Sequence, residues 1–427
     1  MIVLSVVALL FALLAIGIPV SFAMAVSGAL GLYAYGGVGI LQGILKTSPL
    51  STASSYEIIT IPMFILMAEF VIASGTAKNL FDSAAVWVGR LRGGLAMATA
   101  LAGAGFGAIS GSSTASAATL AATSIPTMLN KGYDAKLAGG AVAISGTLAM
   151  LIPPSIALIL YGVIADVSIS KLLIAGVIPG LIVTVAIMLT VAVVVYFNPE
   201  AAPVGRAYTM REKIASLSEV GPMVVLFAVV TAVIYIGITT PTEASAIGAF
   251  GALVLAVWKR QLSLPTLWGC LLRAAQTTCM ILLVILGAHI FGYFFALTRT
   301  TNNIVAWVEA INIAPILVVT ILLVILLILG AFLDQVAILI LTVPVFLPLV
   351  TALGFDPVWF GVIFVVTAEV GMVTPPMGMN AFVVSRYTGR PVAEIFQGSF
   401  PHILAHLIVI ALLTVFPSIV LWLPNTM

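Results

Sequence analysis

The chain has 427 residues, of which 62% are hydrophobic and only 7% charged, with a mean hydropathy of +1.28. That composition excludes a soluble domain, and a net charge of +2 gives no field that would draw in nucleic acid. The apolar runs are continuous over about 18 residues or more, where an outer-membrane barrel would show alternating runs of about ten, so membrane-crossing helices are expected. Cys270 and Cys279 are too few for a disulfide framework. The longest polar connection, Asn198 to Ser218, leaves no room for a nucleotide-binding module. No ATP-driven transport by this chain alone is expected, and no enzyme.

In chain order, residues 2–16 lack the basic start of a secretory signal, and apolar sequence resumes after Pro19. A retained first helix is therefore expected, with crossings at 2–17, 20–35 and 57–74. Phe81 to Arg92, carrying Trp87, has the character of an interfacial amphipathic helix. It leads into an apolar stretch, 93–130, broken near its middle by polar residues, as expected of a re-entrant hairpin. A crossing broken by Pro153-Pro154 follows at 136–165, then one at 172–197 and a polar linker at 198–218. The second half offers crossings at 221–238, 242–258 and 275–297, and an interfacial helix from Asn302 to Asn312 with Trp307. A second hairpin at 311–352, a crossing broken by Pro375-Pro376 at 357–388, and a last crossing at 398–423 complete the chain.

The two proline pairs lie 222 positions apart (375 − 153). At that offset Pro126 meets Pro348, Gly132 meets Gly354, Asp134 meets Asp356, and Gly139, Gly176 and Pro179 meet Gly361, Gly398 and Pro401. All four prolines between 111 and 179 land on a proline, a coincidence of roughly one in ten thousand before allowing for the choice of offset. A repeat that keeps its helix breakers while its apolar filling drifts suits a transporter built from two halves. Five crossings per half is an odd number, so the halves must be oppositely oriented. The expected fold is an all-α polytopic membrane protein of two inverted-topology repeats, residues 1–197 and 219–427, joined by a cytoplasmic linker at 198–218. With both termini periplasmic, thirteen of the 16 Lys and Arg residues fall on the cytoplasmic side; Lys46, Lys171 and Arg299 fall outside.

Four polar breaks converge near the middle of the bilayer in this topology. The first is Ser110-Gly111-Ser112-Ser113-Thr114, poor helix interior but good material for a loop that offers carbonyls to a cation and N–H groups to an anion. Close helix packing by small residues is the alternative. Pro153-Pro154 and Pro375-Pro376 free the carbonyls about one turn earlier, near Met150 and Leu151 and near Met372 and Val373. Such carbonyls must meet water, an ion or another polar group, unless the prolines only kink a helix. The fourth break is Asp334-Gln335, where a carboxylate in an apolar run serves as cation ligand, proton carrier or hairpin cap. Glu369 is a further intramembrane acid, and Glu243 suits the cap of a helix beginning at Thr242. Glu69 stays open between function and structure. His402 and His406 lack a nearby third ligand, and no base lies in the breaks to support proteolysis.

These residues resemble the large membrane subunit of TRAP (tripartite ATP-independent periplasmic) transporters, the DctM-like family. The resemblance covers the whole length. It is carried by Ser110-Gly-Ser-Ser-Thr-Ala-Ser-Ala117, Gly146-Thr-Leu-Ala-Met-Leu-Ile-Pro-Pro-Ser155 and Pro241-Thr-Glu-Ala244. In the second half it is carried by Asp334 with Pro344 and Pro348, Leu353-Gly-Phe-Asp-Pro357 and Gly371-Met-Val-Thr-Pro-Pro-Met-Gly-Met-Asn380. Thr367 and Ala149 depart from the family's usual Asn and Gly.

The resemblance implies an elevator-type, sodium-driven importer of small organic acids in the bacterial inner membrane. It also implies a periplasmic solute-binding protein and a small four-helix membrane subunit, expected as a separate chain because nothing precedes the first helix. Sodium, the only coupling ion expected and no cofactor, would bind at Ser110, Gly111, Ser112 and Thr114 with Met150 and Leu151. A second ion would bind at Asp334 and Gln335 with Met372, Val373 and Thr374. The acid would lie among Ser112, Ser113, Ser155, Thr374, Gly378 and Asn380. A proton-coupled organic-anion carrier working without a binding protein, using Asp334 and Glu369, is the alternative.

Overall fold

The computed structural model describes residues 2–311 and 313–427. The first half comprises α1 (Ile2–Ala15), α2 (Val20–Ala53), α3 (Thr60–Ala73), α4 (Thr76–Val88), α5 (Gly94–Ser110), α6 (Ser113–Asn130), α7 (Ala135–Thr147), α8 (Ile156–Ala165) and α9 (Ile169–Phe197). The second comprises α10 (Met210–Tyr235), α11 (Pro241–Trp258), α12 (Leu264–Leu297), α13 (Thr300–Ile311), α14 (Pro315–Gly330), α15 (Gln335–Ala352), α16 (Pro357–Gly371), α17 (Met379–Thr388), α18 (Val392–Val415) and α19 (Pro417–Leu421). Among the described residues there is no strand beyond one antiparallel bridge, Arg92 with Val204. Among the described residues, eight helices are long and apolar enough to cross a membrane, so the chain is an all-α, multi-pass membrane protein.

Local signals set most helix ends. Ser112 and Asp334, 222 positions apart, cap α6 and α15 by accepting from Ala115 N at 3.4 Å and Ala337 N at 2.9 Å. Asp134 and Asp356, also 222 apart, cap α7 and α16 by accepting from Lys136 N at 2.8 Å and Val358 N at 2.7 Å. Gly132 and Gly354 precede them with φ of 81° and 84°, which glycine adopts without the Cβ penalty. Helices α6 and α15 therefore match end for end at the repeat offset (335 − 113 and 352 − 130).

Three boundaries differ most from expectation; smaller shifts put α4 at Thr76–Val88 rather than 81–92 and start α18 at Val392 rather than 398. The second crossing does not stop at 35: α2 resumes beyond a kink at Gly37 (φ 70°, ψ −169°) and runs to Ala53. Helix α12 starts at Leu264 rather than 275, because Ser263 accepts from Thr266 N and Pro265 occupies the first turn. The linker is shorter than expected, because Thr209 and Glu212 form a capping box that begins α10 at Met210. Asn312, the expected end of the second interfacial helix, lies outside the described residues; α13 runs to Ile311.

Packing follows the repeat. Helix α2 lies along α12 as α11 lies along α3, and α1 packs on α2 as α10 packs on α11. Within the interior, α6 packs on α17 and α15 on α8, so each hairpin reaches the broken helix of the other half. Polar ties join the halves as well. Thr60 and Thr242 share a 2.8 Å hydrogen bond, Thr52 meets His289 Nδ1 at 2.8 Å, and Arg273 pairs with Glu69 at 2.7 Å. Glu69 thus has a structural partner.

The core centres on α7 and α16, which are buried throughout from Leu137 to Thr147 and from Val358 to Gly371. Trp359 fills its middle and donates from its indole N–H to Leu413 O at 2.9 Å. A second, smaller apolar cluster holds parts of α1, α2 and α12 together with Ile340 of α15; Ile164 of α8 and Val336 of α15 pack against it, and Cys270, Ala274, Ile281 and Ile285 of α12 belong to the main core.

Candidate binding site at the hairpin tips and broken helices

The tip of the first hairpin turns at Gly111 (φ 54°). Ser110 Oγ bonds Ser116 Oγ at 2.7 Å across that turn, and Ser112 Oγ lies 3.3 Å from Thr114 Oγ1. Arms of 17 and 18 residues, about 26 Å long at 1.5 Å per residue, carry such a tip well into a bilayer about 30 Å thick. The tip seats on the first break by close approach. A Cβ at Gly107 would lie 2.8 Å from Ala149 Cα, and one at Gly111 would lie 2.7 Å from Ile156 Cγ1. The second hairpin meets the second break in the same way: a Cβ at Gly330 would lie 2.8 Å from Gly371 Cα. Met377 N and Gly378 N both donate to Ala331 O at 3.2 Å.

All four breaks therefore gather in one region. The halves also meet there directly, since Ser113 Oγ of the first tip donates to Met372 Sδ of the second break at 3.7 Å. Both Pro-Pro bonds are cis.

The carbonyls expected to lose partners do so only in part. Met150 O accepts from the Ser155 hydroxyl, and Met372 O accepts from Asn380 N at 3.0 Å. Each break thus supplies a donor from the chain just beyond it, which satisfies one carbonyl and pins the loop. Thr374 Oγ1 donates back to Val370 O at 2.7 Å. The N–H of Gly378 is engaged with Ala331, so it does not open toward a ligand. Helix α8 keeps a side-chain cap, Ser155 Oγ accepting from Leu158 N at 3.1 Å.

The breaks differ in access. Pro153, Pro154 and Ser155 are buried, whereas Pro375, Pro376 and Met377 are exposed, as are Phe332 and Asp334 at the second tip. Gln335 and Asn380 are buried, and their side-chain amides have no hydrogen-bond partner among the described residues. Glu243 lies apart from this region. It completes a capping box with Thr240, accepting from its N–H at 2.8 Å, and α11 starts at Pro241, one residue before the expected Thr242. Two features escaped sequence reasoning. One is the contact between the first tip and the second break. The other is the burial of His402 and His406, where His406 Nδ1 meets His402 O at 2.8 Å.

The model of the DctM component of tripartite ATP-independent periplasmic transporters matches residues 7–419. The chain belongs to this family. It is 33% identical over 403 residues to the C4-dicarboxylate TRAP transporter large permease protein DctM of Pseudomonas aeruginosa, covering 94% of this chain and 93% of that one. It is 32% identical over 420 residues to the sialic acid TRAP transporter large permease protein SiaM of Vibrio cholerae, covering 97% and 96%. Among solved structures, the YdaH transporter of Alcanivorax borkumensis superposes with a TM-score of 0.64 at 14% identity, covering 90% of this chain and 89% of that one. That likeness is one of fold. As a DctM-family permease, the chain is a transport protein and not an enzyme.

Proposed function

We propose that the chain imports small organic acids across the bacterial inner membrane by sodium-coupled secondary transport. It would work with a periplasmic binding protein and a small membrane subunit. The observation that carries this reading is the gathering of two hairpin tips and two broken helices from opposite halves into one hydroxyl- and carbonyl-rich region. Hard oxygen donors suit sodium, and the substrates in the relatives' names, C4-dicarboxylates and sialic acid, are carboxylates. Sodium would bind with Ser110, Gly111, Ser112 and Thr114 at the first tip and Asp334 and Thr374 at the second. Ordering those loops would complete a site for the acid beside Ser113 and Asn380. An elevator-type movement of the hairpins and broken helices against the outer helices is part of the same proposal.

The deciding experiment is uptake in proteoliposomes with the partner proteins present and sodium replaced by choline. Uptake is expected to fall to background. Uptake that survives without sodium but follows pH would favour a proton-coupled carrier.

The inverted arrangement has its own test. In a background lacking Cys270 and Cys279, cysteines placed at Lys131 and Leu353, at matched turns of the two halves, should label from opposite sides of the membrane. Labelling from one side would remove the inversion.

A further inference from the structure

A cavity of about 300 Å³ opens where the end of α4 meets the start of α5, the turn between α6 and α7, and the segment linking the two halves. It shares no lining residue with the hairpin tips or the Pro-Pro breaks. Backbone contacts build its walls. Arg92 and Val204 form the antiparallel bridge here, and a Cβ at Gly205 would lie 1.9 Å from Gly89 O. Asp134 N donates to Ala201 O at 2.9 Å, which holds the linker against the α6–α7 turn.

Three lining residues offer positive charge or a proton. Lys131 is exposed and belongs to none of the ion pairs among the described residues. Arg206 pairs with Glu212 at 3.1 Å, but both side chains reach solvent, where such a pair is weak. Its guanidinium has five N–H donors, so capacity remains for a second acceptor. Tyr133 is 5% exposed, and its hydroxyl accepts from Leu95 N at 3.1 Å. Leu95 also lines the cavity, so the hydroxyl sits at its wall. The tyrosine's own proton has no acceptor among the described residues. No acidic residue lines the cavity among the described residues.

The rim is apolar. Leu91 and Val204 at the bridge, and Met210 two residues beyond Tyr208, are each more than half exposed. Lys213 Nζ lies 5.6 Å from the centre of the Trp87 ring, a cation and an aromatic side by side as at a headgroup boundary. In the orientation expected from the basic residues, this face meets the inner leaflet. We propose that the cavity holds the phosphate of an anionic glycerophospholipid, of the phosphatidylglycerol type, between Lys131 and Arg206. Tyr133 donates its hydroxyl proton to that phosphate, and the acyl chains lie over Leu91 and Val204. A basic pocket bordered by apolar surface at the inner face suits such a headgroup. The lipid thereby fastens the base of the first hairpin to the segment linking the halves. Free phosphate shares the headgroup's chemistry but gives the exposed apolar rim no role.

Native mass spectrometry of the delipidated protein in detergent, titrated with phosphatidylglycerol, tests this. Wild type should hold one such lipid more tightly than any further copies, and more tightly than phosphatidylcholine. Lys131→Gln with Arg206→Gln should weaken that site about thirtyfold, at about fivefold per basic residue. Tyr133→Phe changes no charge and should weaken it about fivefold, the scale of one hydrogen bond. Lys259→Gln with Arg260→Gln, which do not line the cavity, should bind like wild type.

Wild-type affinity in the Lys131/Arg206 variant would overturn the site. So would equal weakening in the Lys259/Arg260 variant with none in Tyr133→Phe, since that pattern marks diffuse attraction. Displacement by an equal concentration of inorganic phosphate would make the cavity a site for a free anion and overturn the lipid. The comparison of two lipids and phosphate on wild type needs no variant, and no preference for phosphatidylglycerol there is equally fatal. The site rests on the expected membrane orientation and not on sodium coupling. Failure here leaves sodium-driven uptake standing, and sodium-independent uptake leaves the lipid site standing.

Discussion

Gly140→Val is expected to prevent the protein from accumulating in a folded, monodisperse form. Helices α7 and α18 cross with their backbones in contact: a Cβ at Gly140 would lie 2.1 Å from Gly398 C and 2.3 Å from Gly398 O, while one at Gly398 would lie 1.8 Å from Lys136 O. The obstacle is backbone, so no side chain can rotate away. The helices would have to separate by roughly an ångström in a core packed to crystal-like density. Overpacking ordinarily costs about 1–3 kcal/mol, and more where backbone must move, against a total stability of about 5–15 kcal/mol for a typical protein. Because α7 is buried from Leu137 to Thr147, the separation would spread to the break that follows it.

The control is Gly43→Val in α2, where an added Cβ meets nothing within 4 Å, and wild-type behaviour is expected. Size-exclusion profiles and melting temperatures in detergent measure both. A Gly140→Val protein that elutes and melts like wild type would show that α7 and α18 do not meet in this way.

What the sequence disclosed was largely local. Caps such as Asp134 and Asp356, the glycines two residues before them and the proline pairs act through a few neighbouring backbone groups, so the chain itself announces them. Preserved at one offset, they reveal the duplication. Two local signals were present but unread. Thr209 and Glu212 have the T-x-x-E spacing of a capping box, and Gly36-Gly37 marks the kink in α2.

The site was legible as a set of segments rather than as a set of contacts. That the Pro-Pro breaks would orphan carbonyls follows from proline chemistry. That Asn380 N would satisfy Met372 O depends on how the loop folds back. The meeting of Ser113 with Met372 joins residues 259 positions apart, so no window of sequence contains it. Glycine pairs such as Gly140 with Gly398, or Gly330 with Gly371, are likewise silent until the helices are placed.

Asp334→Asn separates capping from ion binding at the second hairpin tip. In the structure Asp334 Oδ1 accepts from Ala337 N at 2.9 Å and begins α15, a task asparagine performs about as well. The fold and melting temperature should therefore be unchanged. Asn nevertheless loses the formal charge that a cation at the second tip would meet, in a residue whose side chain is exposed there. If Asp334 is a sodium ligand, as proposed above, the sodium concentration for half-maximal uptake should rise by at least about tenfold, equivalent to about 1.4 kcal/mol. Asp334→Ala removes the cap as well, and should add a stability loss of about 0.5–2 kcal/mol visible in melting. Ser112→Ala supplies the matching comparison at the first tip, where the cap bond is longer, 3.4 Å, and the stability loss should be smaller. Should Asp334→Asn activate with sodium like wild type while Asp334→Ala only melts earlier, the carboxylate ends a helix and nothing more. The second ion would then have to be held by the hydroxyl and carbonyl oxygens of the break.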